Sequence, residues 1–235
     1  MADPRTIVGI IGNVISFFLF LSPLPTFVKI VKAKSVMEFK ADPYIATVLN
    51  CAVWVFYGMP FVHPDSLLVI TINGFGLAIE FLYISIFFIY SDWPKRQKMI
   101  IALIVEAIFM AILIFVTLTF LHGTKDRSML IGIVAIVFNI LMYTAPLTVM
   151  KTVITTKSVK YMPVYLSLAN FANGIVWSSY ALFKFDPYIL IPNGLGTLSG
   201  LLQLILIALF YRTTNWDEDE KEVELSASKS SRSNV

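Results

Sequence analysis

The chain has 235 residues, of which 57% are hydrophobic and only 14% charged, against about a quarter charged in water-soluble domains. That balance excludes an ordinary soluble fold and makes lipid the expected solvent. A formal charge of +3 and one cysteine, Cys51, exclude an internal disulfide or a cysteine metal cage and leave the placement of lysines and arginines as the informative part of the charge.

Crossing a hydrocarbon layer about 30 Å thick takes about 20 apolar residues at about 1.5 Å each. Seven such runs follow one another, at 6–28, 43–61, 67–90, 99–121, 128–150, 163–183 and 187–211. The first is preceded by only Arg5 and ends in Ser22, Pro23, Leu24, Pro25, which is not a signal-peptide cleavage pattern, so a retained helix is expected. The second holds Asn50 and Trp54, the third Asn73 and Glu80, the fourth Glu106, the fifth Asn139, the sixth Asn170, Asn173 and Trp177, and the seventh Asn193. Beyond it come Asp217, Glu218, Asp219, Glu220 and a serine-rich end, so 212–235 is expected to be a disordered tail.

The basic residues fall on one side. Lys29, Lys32, Lys34 and Lys40 join the first two runs; Lys95, Arg96 and Lys98 the third and fourth; Lys151, Lys157 and Lys160 the fifth and sixth; the tail adds Arg212, Lys221, Lys229 and Arg232. Arg5, Lys125, Arg127 and Lys184 remain for the other face. The positive-inside rule makes the tail cytosolic and the N-terminus extracellular, with no nucleic-acid partner expected.

Displaced by 123 positions, the sequence repeats itself. Pro23 meets Pro146, Lys34-Ser35-Val36 meets Lys157-Ser158-Val159, Asn50 meets Asn173, Trp54 meets Trp177 and Tyr57 meets Tyr180. A loop shortened by three residues then aligns Asn73, Gly74 and Gly76 with Asn193, Gly194 and Gly196. Asn, Trp and Pro do not recur by accident among lipid-embedded residues. Each unit has three helices, so two units joined directly would point in opposite directions, and the fourth run restores the common direction that the basic loops require. The expected fold is all-α and transmembrane, seven helices as two parallel three-helix bundles (6–90 and 128–211) joined by a linker helix within 91–127. Such a duplicated chain encloses a path between its halves, which favours a carrier over a seven-helix receptor.

An amide in lipid without a partner costs about 2–7 kcal/mol, so Asn13, Asn50, Asn73, Asn139, Asn170, Asn173 and Asn193 are expected to face one another or water. Asn73 lies about 9 Å below the outer surface, with Asn193 as its equivalent facing it across the axis. A single mid-membrane Trp would read as packing, but Trp54 and Trp177 are duplicated beside Asn50 and Asn173. Indole faces cover the C–H side of a sugar ring while amides exchange hydrogen bonds with its hydroxyls. Glu80 and Glu106 are the ionisable acids or bases well inside the runs; both are acidic, so neutral or cationic cargo is expected. Glu80 suits proton coupling, though a carboxyl hydrogen-bonded between helices is the more ordinary expectation. Pro23, Pro43, Pro146 and Pro163 all map to the cytosolic ends of helices, where prolines start or kink them; together they are expected to form the hinge of a cytosolic gate. His63 and His122 sit in outer loops and make no metal-spaced cluster, so neither an enzyme nor a metal or other cofactor is expected.

The motifs Gly12-Asn13, Pro23 to Phe27, Asp42-Pro43-Tyr44, Leu49 to Trp54, Thr71-Ile72-Asn73-Gly74, Ala145-Pro146-Leu147, Met162-Pro163 and Ile191-Pro192-Asn193-Gly194 resemble the SWEET family of sugar transporters in its plant form. The resemblance covers the chain to about Tyr211, and this family is itself an example of parallel repeats about an axis along the membrane normal. It implies bidirectional, energy-independent transport of sugar by alternating access, a pocket of Asn73, Asn193, Trp54 and Trp177 lined by Asn50 and Asn173, and the four prolines as an inner hinge. It also implies size discrimination by Ser16 and Asn139, with Leu19 and Met142 one turn along. The chain is most similar to the second plant clade, which implies glucose, fructose or galactose at the plasma membrane, in oligomers that are often trimers. Val164 and Phe75 depart from the family's usual residues, putting packing near the hinge and pocket in doubt. The alternative is a facilitator or proton-coupled carrier of another small polar or cationic solute, since a fold fixes a path and not its passenger.

Overall fold

The structure, a computed structural model, describes residues 3–214 and 216; the acidic cluster and the serine-rich end, expected to be disordered, lie outside them. The seven expected spans are present as nine helices, because two spans are broken. The first consists of α1 (Pro4–Leu21) and α2 (Leu24–Ala33), followed by α3 (Asp42–Gly58), α4 (Leu67–Tyr90) and α5 (Trp93–Phe120). The fifth consists of α6 (Thr124–Met142) and α7 (Thr144–Thr156), followed by α8 (Val164–Phe183) and α9 (Pro187–Phe210). Several spans start earlier than their apolar runs because polar first turns are stabilised locally: Pro4 opens α1, and Asp92 caps α5 by accepting from the Lys95 amide at 3.1 Å.

Five spans, Pro4–Ala33, α4, α5, Thr124–Thr156 and α9, are long and apolar enough to cross a membrane by length and composition. The two that fall short are α3, with 17 residues, and α8, which carries Asn170, Asn173 and three serines. Their polarity has a destination, since Asn50 of α3 and Asn173 of α8 line a central cavity.

The breaks follow from proline. Pro23 has no N–H to continue the ladder and caps α2 instead. In the second half the interruption falls at Tyr143, three residues ahead of Pro146, which occupies the first turn of α7. Both broken spans then end alike, with Lys34 and Lys157 in the left-handed region at φ 50° and 55°. These equivalent C-terminal caps are the repeat expressed in backbone conformation.

Within each half the third span lies between the other two: α4 packs on α1 and α3, and α9 on α6 and α8. The halves meet through α1 against α8 and α3 against α6, two contacts that the repeat interchanges. The linker α5 packs against α3, α4 and α6, so the arrangement is three, one and three.

Three apolar cores divide the molecule by level. The first, including Val53, Trp54, Tyr57, Ile131, Ala135, Trp177 and Tyr180, joins both halves on the side away from the basic loops, called here the far face. The other two lie at the basic face and are private. Phe27, Val36, Ile45, Tyr83 and Phe87 belong to the first half, with Phe27 stacked on Tyr83 at 4.0 Å, and Met150, Val153, Val159, Met162 and Ile207 belong to the second. Burying apolar surface in one shared core and two separate ones ties the halves together at the far face and lets them part at the basic face.

Candidate functional site

A cavity of about 320 Å³ lies between the halves. Six spans supply its wall: Ser16, Leu19 and Phe20 from α1; Thr47, Asn50 and Trp54 from α3; Val69, Ile72, Asn73 and Glu80 from α4; Asn139 from α6; Asn173 and Trp177 from α8; Ile189 and Asn193 from α9. The sequence-predicted residues Asn73, Asn193, Trp54, Trp177, Asn50, Asn173, Ser16, Asn139 and Leu19 are therefore brought together. Met142 is not. It is the exposed last residue of α6, where the break at Tyr143 turns the chain.

The polar groups are arranged in pairs that the repeat interchanges. Ser16 Oγ donates to Asn173 Oδ1 at 2.6 Å, and at the equivalent place Asn139 Nδ2 donates to Asn50 Oδ1 at 3.1 Å. These bonds cross between halves, which is how the amides of α3 and α8 escape the cost of burial. Asn73 and Asn193 bond instead along their own helices, to the carbonyls of Val69 at 2.9 Å and Ile189 at 2.8 Å. One amide hydrogen of each is spent, and the side-chain oxygen stays available to whatever fills the cavity.

The tryptophans match in packing and differ in bonding. Trp54 meets Tyr57 edge-on at 5.4 Å and Trp177 meets Tyr180 at 5.2 Å. Gly12 makes room for the second indole, since a Cβ there would lie 2.9 Å from the Trp177 ring. The Trp177 N–H donates to Ser16 Oγ at 3.1 Å, whereas among the described residues the Trp54 N–H has no protein acceptor. The remaining amides differ: Asn13 ties α1 to α4 through Leu68 O at 3.0 Å and Thr71 Oγ1 at 3.0 Å, while Asn170 is exposed and outside the cavity.

The four prolines each sit at a helix start. Pro23 and Pro163 are the residues before α2 and α8, and Pro43 and Pro146 lie in the first turns of α3 and α7. Of the two unusual residues, Phe75 stacks on Phe17 at 4.6 Å beside the cavity, and Val164 is the exposed first residue of α8.

Above the cavity the far face is closed by a clasp that sequence reasoning missed. Asp186, 2% exposed, accepts from the Tyr57 hydroxyl at 2.9 Å on both oxygens, from the Tyr188 amide at 3.0 Å and from the Ile189 amide at 3.3 Å. His63 Nε2 lies 3.2 Å from Asp186, and its Nδ1 lies 2.9 Å from Ser128 Oγ. Ser128 donates to Val62 O at 2.7 Å and Arg127 to Phe61 O at 3.0 Å. At the rim Lys184 pairs with Asp65 at 2.6 Å, which with its hydrogen bond holds the Asp65 carboxyl below its usual range. Apart from the two backbone donors of Tyr188 and Ile189, these contacts join the first half to the second or to the segment leading into it. At the basic face, by contrast, α2 packs on α4 and α7 on α9, each within its own half.

Comparison with known proteins gives a consistent set. Residues 6–95 and 129–215 match a family model described as a sugar efflux transporter for intercellular exchange. The chain is 66% identical to the bidirectional sugar transporter SWEET5 of Arabidopsis thaliana, with 95% of each chain covered. It is 60% identical to SWEET4 of the same organism, over 92% of this chain and 86% of the relative. A solved structure of a eukaryotic SWEET transporter superimposes with a TM-score of 0.85 at 36% identity, covering 88% of this chain and 97% of the other.

Proposed function

Since the chain belongs to the SWEET family of sugar transporters, we propose that it is a bidirectional uniporter of monosaccharides, glucose, fructose or galactose, which pass through the cavity between its halves by alternating access. The observation that carries the reading is the cavity, where two indoles and two amide side chains whose oxygens have no protein partner surround a volume of about 320 Å³, room for about ten waters. Of the residues implied to restrict size, Asn139 lies in the wall and Met142 does not, so the restriction rests on Asn139 together with Ser16 and Leu19.

The mechanism follows from the division between shared and private cores. In this conformer the clasp shuts the far face while the basic halves are held only by their own packing. Breaking the clasp and bringing α2 and α7 together about the four prolines would expose the same cavity to the other side. Sugar moves down its gradient because either state binds it and no second solute is required. The basic loops support a cytosolic basic face and an extracellular far face, at the plasma membrane. The matched segments support the division into repeats at 6–90 and 128–211, with the linker between them. Exposed apolar faces such as Ile101, Ile104, Val105, Ile108 and Ile112 of α5 suit lipid or a neighbouring protomer, a trimer being the working expectation.

Uptake of radiolabelled glucose and sucrose in a transport-deficient cell tests the proposal. Glucose should enter and sucrose should not, and Asn73→Ala and Asn193→Ala should each raise KM about two- to tenfold, the worth of one lost hydrogen bond. Movement of neither sugar would refute the monosaccharide reading.

A further inference from the structure

Among the described residues the cavity wall holds one carboxyl, and the repeat does not duplicate it. Glu80 lies seven residues beyond Asn73 on α4, toward the basic face, and forms part of the wall. The equivalent position in the second half is Gly200. That difference is built into the packing. A Cβ on Gly200 would stand 2.8 Å from the Phe171 Cα and 3.0 Å from its backbone nitrogen, so α9 approaches α8 too closely for any side chain there. The carboxyl therefore stands on one side of the pseudo-axis only.

A carboxyl hydrogen-bonded between helices was the ordinary expectation, and the structure departs from it. Glu80 is 4% exposed, its Oε2 is sealed without a hydrogen-bond partner, and among the described residues no donor reaches either oxygen. Tyr44, Cys51 and Tyr83 are its polar neighbours, yet none donates to it; the Tyr83 hydroxyl is committed to Phe20 O at 2.9 Å. Burying a carboxyl unpaired carries a large penalty; Oε2 is sealed, so it is the other oxygen, also without a protein donor, that a ligand's hydroxyl in the cavity would meet.

We propose that Glu80 is a substrate-binding residue, hydrogen-bonding one hydroxyl of the sugar at the basic end of the cavity and so giving a nearly twofold site a single preferred orientation of its cargo. The proposal rests on the monosaccharide reading above. Asn73 and Asn193 hold the ring from both halves, and Glu80 adds at one end a carboxyl contact that has no equivalent in the second half. A carboxyl accepts from a hydroxyl when ionised and also donates when protonated, so the contact needs no countercharge.

The test is a series of monodeoxyglucoses transported by the wild-type chain and by Glu80→Leu, Glu80→Met and Glu80→Gln, with surface abundance measured in parallel. In the wild type, one deoxy position should raise KM about three- to tenfold, the worth of one hydrogen bond to a carboxyl. In Glu80→Leu or Glu80→Met, whichever reaches the surface, glucose should show that same rise, and the sensitive analogue should lose its penalty. Glu80→Gln, which keeps shape and hydrogen-bonding capacity, should restore KM to within about threefold. A purely structural role would lower abundance and maximal rate while leaving the ranking of analogues intact, and an unchanged ranking in either apolar variant would overturn the proposal. Failure of the wild type to move any hexose would instead refute the monosaccharide reading on which it stands.

Discussion

Replacing Tyr57 by Phe removes one hydroxyl from the far-face clasp and little else. That hydroxyl lies 2.9 Å from both oxygens of Asp186, and the ring would keep its stacking on His63 at 4.7 Å and its edge contact with Trp54. A hydrogen bond to a charged acceptor contributes about 1.5–3 kcal/mol net, and this one joins the halves only while the far face is shut. At about 1.4 kcal/mol per tenfold, its loss would shift the balance toward the state open at the far face by roughly ten- to 150-fold. Asp186 retains its two backbone donors, which places the shift near the lower end. Val69 lines the cavity just inside the clasp and is 3% exposed, so a cysteine there reports on opening once the native Cys51 is replaced by Ala. A membrane-impermeant maleimide applied at the far face should label it about tenfold faster in Tyr57→Phe. An unchanged rate would refute the view that this bond keeps the mouth closed.

The same reporter reads pH. Burial holds the His63 imidazole below its usual range, Asp186 raises it in part, Lys184 and Arg5 lower it and Asp65 raises it slightly. Opened to water, it would return toward about 6.5, so the closed mouth binds fewer protons than the open one. This contribution to closure is full above about pH 6.5 and is lost as pH falls below it; labelling should quicken on acidification, and His63→Gln should abolish that response. Gly174→Ala would set a Cβ 2.8 Å from the Thr197 backbone nitrogen and 3.0 Å from Asn193 O, where no side chain can yield, and should cost about 1–3 kcal/mol, measured as a lower Tm in detergent. Pro23→Ala together with Pro146→Ala should lower transport rate far more than Tm; equal losses would remove the hinge.

What the duplication marked was legible and what it did not mark was hidden. Pairs such as Asn50 with Asn173 and Trp54 with Trp177 stood out because polar and indole side chains in lipid need a common destination, and the structure gathers them into one wall. The partners within that wall were not legible, since the crossed bonds Ser16 to Asn173 and Asn139 to Asn50 depend on which spans touch. Met142 came with the family resemblance and not from any pattern in the chain; here the helix ends at that residue and the chain turns at Tyr143, so it stands outside the wall. The clasp left no periodic trace, as His63, Asp65, Lys184 and Asp186 lie in loops and ordinarily read as solvated surface. A carboxylate just ahead of a proline-led helix start was the available signal, in Asp186-Pro187-Tyr188.

The clasp also bears on kinetics. A sugar arriving from the basic side meets halves held apart by their own cores, while one arriving from the other side must wait for several bonds to part. The passive carriage proposed above would forbid a built-in direction: with equal sugar on both sides net flux is zero, so the ratio of maximal rate to KM would be the same inward and outward. Unequal mouths therefore show themselves as a lower KM and a proportionally lower ceiling on one side, a one-sidedness of saturation without any pumping.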